Sequence, residues 1–160
     1  MIKAVFLDRD GVLNRDFLPY HFRKDQFFIN RDVWESLRKI KKKGYAMILI
    51  TNQGGIAKGL YTKVDVDVLH KDLIKTAAEN EIEFLEVYFC PHHDLFGKCL
   101  CRKPGSVMLE KALARFNIDP VISYFIGDTE RDVFAGLKAG VQTIKIIPNQ
   151  SLLKVIDLIK

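Results

Sequence analysis

No run in this chain is apolar for long enough to cross a membrane, and its amino end carries no signal-peptide pattern; the apolar stretch that begins at Ile2 already reads as a strand. Internal repeats, low-complexity tracts and linkers are also missing. With 160 residues and 48% hydrophobic ones, a single domain spanning 1–160 with a real core is expected. Cysteine is scarce: there are three, all between positions 90 and 101. An odd, clustered set argues for metal binding in a reducing, cytoplasmic compartment rather than for disulfides. A large excess of one charge is lacking too. The net charge of +5 suits an anionic substrate and does not call for nucleic acid. The basic run Arg38 to Lys43 sits at the end of an expected helix, where it suits the helix dipole better than a nucleic-acid patch.

What is present is organised around Val5-Phe6-Leu7-Asp8-Arg9-Asp10-Gly11. A short apolar run reads as a buried parallel strand, and it ends in two carboxylates one residue apart. Gly11 allows a turn that aims both acids at one spot. Two acids this close stay ionised only beside a metal or basic groups. The bland reading is a strand and an Asp-Gly turn. The chemical one is phosphoryl transfer, one carboxylate attacking phosphorus and the other handling the leaving group's proton.

Further along, helices are expected over 32–43, after a Thr62/Asp65 capping box, over 106–116, up to Lys138 and over 151–159. Strands are expected over 45–50, 84–89, 121–126 and 141–147. Alternating strands and helices imply an α/β fold, a doubly wound parallel sheet. The order 3-2-1-4-5 places Asp8, Asp10, Thr51, Asn52, Asp128 and Asp132 along one edge, at the switch point between strands one and four.

Two constellations follow. Asp8, Asp128 and Asp132 are hard oxygen ligands suited to Mg²⁺, with Lys103 and Arg102 available to grip phosphate. Asp128 alone would read as a helix N-cap. Cys90 and His92, then Cys99 and Cys101, make a Cys₃His set for a closed structural Zn²⁺ site, with His93 the rival of His92. Such a zinc-bound loop would set where Arg102 and Lys103 point.

Asp8-x-Asp10-Gly11-Val12, Thr51-Asn52, Lys103-Pro104 and Gly127-Asp128-x-x-x-Asp132 together resemble the four motifs of the haloacid dehalogenase-like (HAD) phosphatases, over almost the whole chain. The Cys/His loop is similar to that of the branch holding heptose bisphosphate and histidinol-phosphate phosphatases. The resemblance implies a Rossmann-like core without a cap domain, Asp8 as nucleophile, Asp10 as general acid/base, and Thr51 and Lys103 as phosphate stabilisers. It implies Mg²⁺ on Asp8, Asp128 and the Asp10 backbone carbonyl, with Asp132 in support. Substrate choice would fall to loops carrying Asp16, Tyr20, Thr51, Asn52, Gln53, Gly54, Arg102 and Lys103. The expected partner is a small phosphorylated metabolite, met by a monomer or small homo-oligomer, with no nucleic acid and no membrane. The short spacing from His92 to Cys99 is like the histidinol type; Thr51 to Gly59 and Cys90 to His93 look closer to the heptose type. Thr129 stands where a basic residue is expected. Two other classes are a phospho-Asp receiver domain, in which the acids, Thr and Lys fall differently along the chain, and a zinc nucleic-acid module, which leaves the carboxylates unexplained.

Overall fold

The computed structural model describes all 160 residues. Five strands form one parallel sheet: β1 (Ala4–Leu7), β2 (Ala46–Asn52), β3 (Glu86–Cys90), β4 (Tyr124–Gly127) and β5 (Gln142–Lys145). Their spatial order is β3-β2-β1-β4-β5. β1 lies between β2 and β4, with Leu7 level with both Leu49 and Ile126. Between the strands run α1 (Val33–Lys42), α2 (Lys63–Glu79), α3 (Val107–Arg115) and α4 (Glu130–Lys138).

The period-two geometry of a strand divides the core in two. Val5 and Leu7 point to one face and pack with Leu37 and Ile40 of α1, Leu73 and Ala77 of α2, and the carboxy-terminal segment. Ala4 and Phe6 point to the other and pack with Met108, Leu109 and Ala112 of α3 and Ala135 of α4. Both faces of β1 are thus covered, which is why its sequence is a continuous apolar run. Truncating the fully buried Phe6 to Ala would cost about 3–5 kcal/mol.

The expected strand order and α/β class are what the chain adopts, and no cap domain interrupts it. The Thr62/Asp65 capping box opens α2 as expected. Most boundaries shift by one to three residues, and three differences bear on the site or the core. The first strand is shorter than its apolar run, with Ile2 in an isolated bridge to Ile118. The last helix becomes two 3₁₀ turns, Leu152–Lys154 and Ile156–Leu158. Leu152, Val155, Ile156 and Ile159 still reach the core there, and so short a helix gains little from propensity against that packing. At α4 the N-cap is Thr129 rather than Asp128: its N–H and hydroxyl both donate to Asp132 Oδ2, at 3.0 and 2.6 Å. Asp128 is left free of the helix. No helix is long and apolar enough to cross a membrane.

Candidate active site

Parallel strands deliver their carboxyl ends to one edge, and a cleft of about 280 Å³ opens there. Asp8 follows β1, Thr51 and Asn52 close β2, and Asp128 follows β4. Asp8, Asp128 and Asp132 each offer an oxygen, all within 4.8 Å of one another. Gly11 makes this approach possible. Its φ is +79°, and a Cβ there would stand 2.2 Å from Asp128 Oδ2. Into this group comes Lys103 from the loop after β3, only 3% exposed. Its ammonium lies 2.8 Å from Asp8 Oδ1 and 2.6 Å from Asp132 Oδ1, and donates to the Ile50 carbonyl.

One cation does not balance three buried acids. Burial, with Asp132 and Asp10 nearby, pushes Asp8 up to about 8 despite Lys103. Burial and Asp132 likewise raise Asp128 to about 6. Asp132 goes down: burial opposes ionisation, but Lys103 and the Thr129 donors outweigh it. Both Asp132 oxygens are thereby engaged, whereas Asp8 Oδ2 and the Asp128 carboxylate face the cleft with no protein cation of their own. Oxygen donors held this close and short of positive charge fit a hard divalent cation.

Asp10 is held differently. The Arg9 Nε and Nη2 groups donate to both of its oxygens at 3.0–3.2 Å, Asn14 donates at 2.9 Å and Gln53 at 3.2 Å. Burial works against the carboxylate, yet Arg9 and Asn14 carry its pKa below the ordinary range.

The second constellation assembles from twelve residues of chain. Sγ atoms of Cys90 and Cys99 are 3.7 Å apart, those of Cys99 and Cys101 3.8 Å, and those of Cys90 and Cys101 3.1 Å. His92 Nδ1 lies 3.5 Å from Cys90 Sγ and 3.3 Å from Cys101 Sγ. A tetrahedral zinc with bonds near 2.3 Å to sulfur has S–S edges of ~3.8 Å, so four donors of this type and spacing fit such an ion. His92, not His93, belongs to the set. The His93 ring turns to the cleft instead.

The loop is wired to the cleft. Arg102 donates its N–H to Cys99 Sγ and its Nη1 to the His92 carbonyl. Asn52 clamps the Lys103 backbone from both sides, accepting at 3.0 Å and donating at 3.1 Å. The cleft is lined by Asp16, Tyr20, Thr51, Asn52, Gln53 and Arg102, all anticipated from sequence. The amides of Asn52 and Gln53 are already engaged by protein partners. Gly54 stands back from the wall; a Cβ there would meet His93 at 2.9 Å and the Arg102 Nη1 at 3.0 Å, so it seats the loop.

Sequence reading missed Arg9, Arg131 and His21. Arg9 carried no flag because a charged residue beside two acids reads as solvated, yet it is fully buried. Arg131 lies on the cleft two residues past Thr129, so positive charge reaches this rim from a neighbouring position. Beside it, burial and then the charges of Lys58, Arg102 and Arg131 hold His93 below its usual pKa.

A HAD-hydrolase-like family model matches residues 100–146. The chain is 40% identical over 148 residues to a D-glycero-β-D-manno-heptose-1,7-bisphosphate 7-phosphatase of Haemophilus influenzae, an alignment covering 89% of this chain and 79% of that one. It is 36% identical to the D-glycero-α-D-manno-heptose-1,7-bisphosphate 7-phosphatase of Photorhabdus laumondii, covering 88% and 79%. The crystal structure of a D,D-heptose 1,7-bisphosphate phosphatase from B. bronchiseptica, complexed with magnesium and phosphate, superposes with a TM-score of 0.82 at 27% identity, covering 89% of this chain and 79% of that one.

Proposed function

The chain belongs to the HAD-like phosphatases, and from that premise we propose that it removes one phosphate from a small bisphosphorylated sugar, heptose 1,7-bisphosphate, cutting at C7. One observation carries the substrate reading: a single cleft joins the Asp8 cluster to a rim bearing the Arg102 and Arg131 guanidinium groups, two cations beyond the Lys103 that already serves the cluster. A second phosphate on the same molecule would meet that rim.

In the chemistry, Asp8 attacks phosphorus in line. Its Oδ1 already takes the Arg9 N–H at 2.7 Å and the Lys103 ammonium, which leaves Oδ2 as the attacking atom. The bond from phosphorus to the sugar oxygen breaks, and Asp10 gives that oxygen its proton. Asp10 then takes a proton from water, whose oxygen attacks phosphorus and frees Asp8. Lys103 and Thr51 hold the phosphoryl oxygens, and positioning with electrostatics supplies most of the acceleration. Mg²⁺, held by Asp8, Asp128 and the Asp10 backbone carbonyl, would draw charge off the phosphoryl group. The metal-free pKa order, Asp8 up and Asp10 down, is the reverse of what these roles need. A divalent cation beside Asp8 would lower it and a phosphate dianion beside Asp10 would raise it, so loading the site would bring both groups toward their roles. Cys90, His92, Cys99 and Cys101 would hold a structural Zn²⁺ that fixes Arg102. The chain would act as one cytoplasmic domain, as monomer or small homo-oligomer.

A side-by-side turnover screen tests this reading. Heptose 1,7-bisphosphate, as either anomer, should be hydrolysed with a kcat/KM well above those of heptose 7-phosphate and histidinol phosphate. Equal or better turnover of histidinol phosphate would overturn the substrate assignment.

A further inference from the structure

His70 lies on α2, outside the cleft lining, and is 5% exposed. Its ring makes a polar contact with Arg9: Nε2 is 3.1 Å from Arg9 Nη1. A guanidinium has donors and no acceptor, so Nε2 must offer its lone pair and the ring proton must sit on Nδ1. Burial and the Arg9 charge both keep this imidazole neutral, far below its usual pKa, at about 3. The Phe89 ring meets it edge-on, with centroids 5.7 Å apart.

Arg9 itself is spread over three anchors. Nε and Nη2 form a fork on the Asp10 carboxylate, Nη2 also donates to the His21 carbonyl at 2.6 Å, and Nη1 donates to His70. His70 holds Nη1, the one guanidinium nitrogen that makes no bond to Asp10, and the His21 carbonyl holds Nη2 beside the carboxylate. They fix the plane of the guanidinium, and a planar fork can then hold a carboxylate in only one orientation.

We infer that His70 is a positioning residue for the reaction: by accepting from Arg9 it locks the fork that aims Asp10 at the leaving-group oxygen. The inference rests on the reading of Asp10 as general acid. Losing the acceptor leaves buried donors of Arg9 unpaired, and the guanidinium turns to find partners. Asp10 turns with it, while Asp8, Lys103 and Thr51 keep their places.

The experiment is single-turnover formation of the phosphoenzyme, in Mg²⁺, by His70→Leu and His70→Gln, with an alkyl sugar phosphate and with nitrophenyl phosphate. An alkoxide needs its proton and a nitrophenolate hardly does, so a misaimed acid shows only with the first. His70→Leu should slow the alkyl substrate about 10-fold more than the aryl one, a part of the ~10²–10⁴ that a general acid supplies, with KM nearly unchanged. His70→Gln, whose amide oxygen can accept from Arg9, should recover most of the difference. Equal slowing of both substrates, or none, would overturn the inference. Should His70→Leu not fold, the nitrogen NMR shifts of the wild-type His70 ring decide: Nδ1–H with an accepting Nε2 is expected at neutral pH, and an Nε2–H tautomer or an imidazolium would overturn it. Asp10→Asn run alongside separates the two claims. If it too slows both substrates equally, the role of Asp10 has failed, while the ring tautomer still reports the contact with Arg9.

Discussion

The two metal-compatible clusters are built in opposite ways. Cys90 closes β3 and is buried, and His92, Cys99 and Cys101 follow within eleven residues on the half-exposed loop it opens. Asp8, Asp128 and Asp132 come from opposite ends of the chain, and all three are buried. Soft donors on a loop can wait for their ion, because a neutral thiol or imidazole is tolerated at a half-exposed site. Three buried carboxylates, Asp8 and Asp128 just past strand ends and Asp132 on the first turn of α4, cannot wait so easily. The sheet forces them together whether or not a cation is present, and only Lys103 offsets their repulsion. The loop cluster therefore serves local order, and the strand-end cluster stores unfavourable electrostatics that a metal and a phosphate relieve.

The largest expected effect separates the two directly. Asp8→Asn should lower turnover by on the order of 10⁴-fold or more, because it removes the proposed nucleophile. It should also leave the metal-free protein about as stable as before near pH 7, where Asp8 already keeps its proton, and more stable above pH 8, where the wild-type carboxylate ionises among its neighbours. Steady-state kinetics and a thermal melt check both halves; a marked fall in Tm would refute the stored-repulsion view.

Next comes Lys103→Met. Deleting the cation leaves buried Asp8 and Asp132 unpaired, a loss of about 3–5 kcal/mol. Urea unfolding without Mg²⁺ should show it, and saturating Mg²⁺ should restore part, as a cation near Asp8 does part of the lysine's work. A smaller effect is expected at the loop. Cys101→Ser removes one of the four proposed zinc donors and should slacken the tie between Cys99 and Arg102. Elemental analysis should read about one zinc per wild-type chain and much less for the variant. We expect about a 10-fold loss in kcat/KM, the worth of one weakened charged contact, carried mainly by KM.

Legibility in the sequence follows the same division. The Cys/His cluster was readable from spacing alone, because its members lie within twelve residues of chain, and the structure gathers His92 rather than His93 with the three cysteines. The acid cluster was readable only through the fold: the strand ends had to be ordered before Asp8 and Asp128 could meet. What stayed hidden was the reach of long side chains. Nothing local says that Arg9 turns inward to Asp10 and His70, or that Arg131 reaches the cleft past Thr129. The last helix misled because its apolar spacing is helical, while its two turns follow a tighter path into the core.

The smallest expected effect is a pH trend, and it distinguishes the clusters without mutation. Take protein that retains zinc but lacks Mg²⁺. Asp8 has a folded pKa of about 8 against an ordinary value of 3.8, so the native state keeps a proton that the unfolded chain has given up. Its contribution falls as pH rises from about 4 to about 8. Asp128, at about 6, acts in the same direction over the lower part of that range. His70 opposes both: the unfolded ring takes up a proton below its model value of 6.5 while the folded ring stays neutral to about 3, so its contribution rises with pH up to about 6.5. Asp10 and Asp132 lose their contribution only in acid below the ordinary carboxylate range, and Lys103 only above its ordinary pKa. The window from pH 6.5 to 8 thus belongs mainly to Asp8. Stability should decline there by at most about 1.4 kcal/mol per pH unit, the slope easing to about half of that as pH nears 8 and Asp8 begins to give up its proton. Thermal melts across the window should show the decline in wild type and a flatter profile in Asp8→Asn. Saturating Mg²⁺ should flatten it as well, because a cation on Asp8 displaces the proton. A decline that persists unchanged in both would place the titrating group elsewhere and remove the electrostatic contrast between cleft and loop.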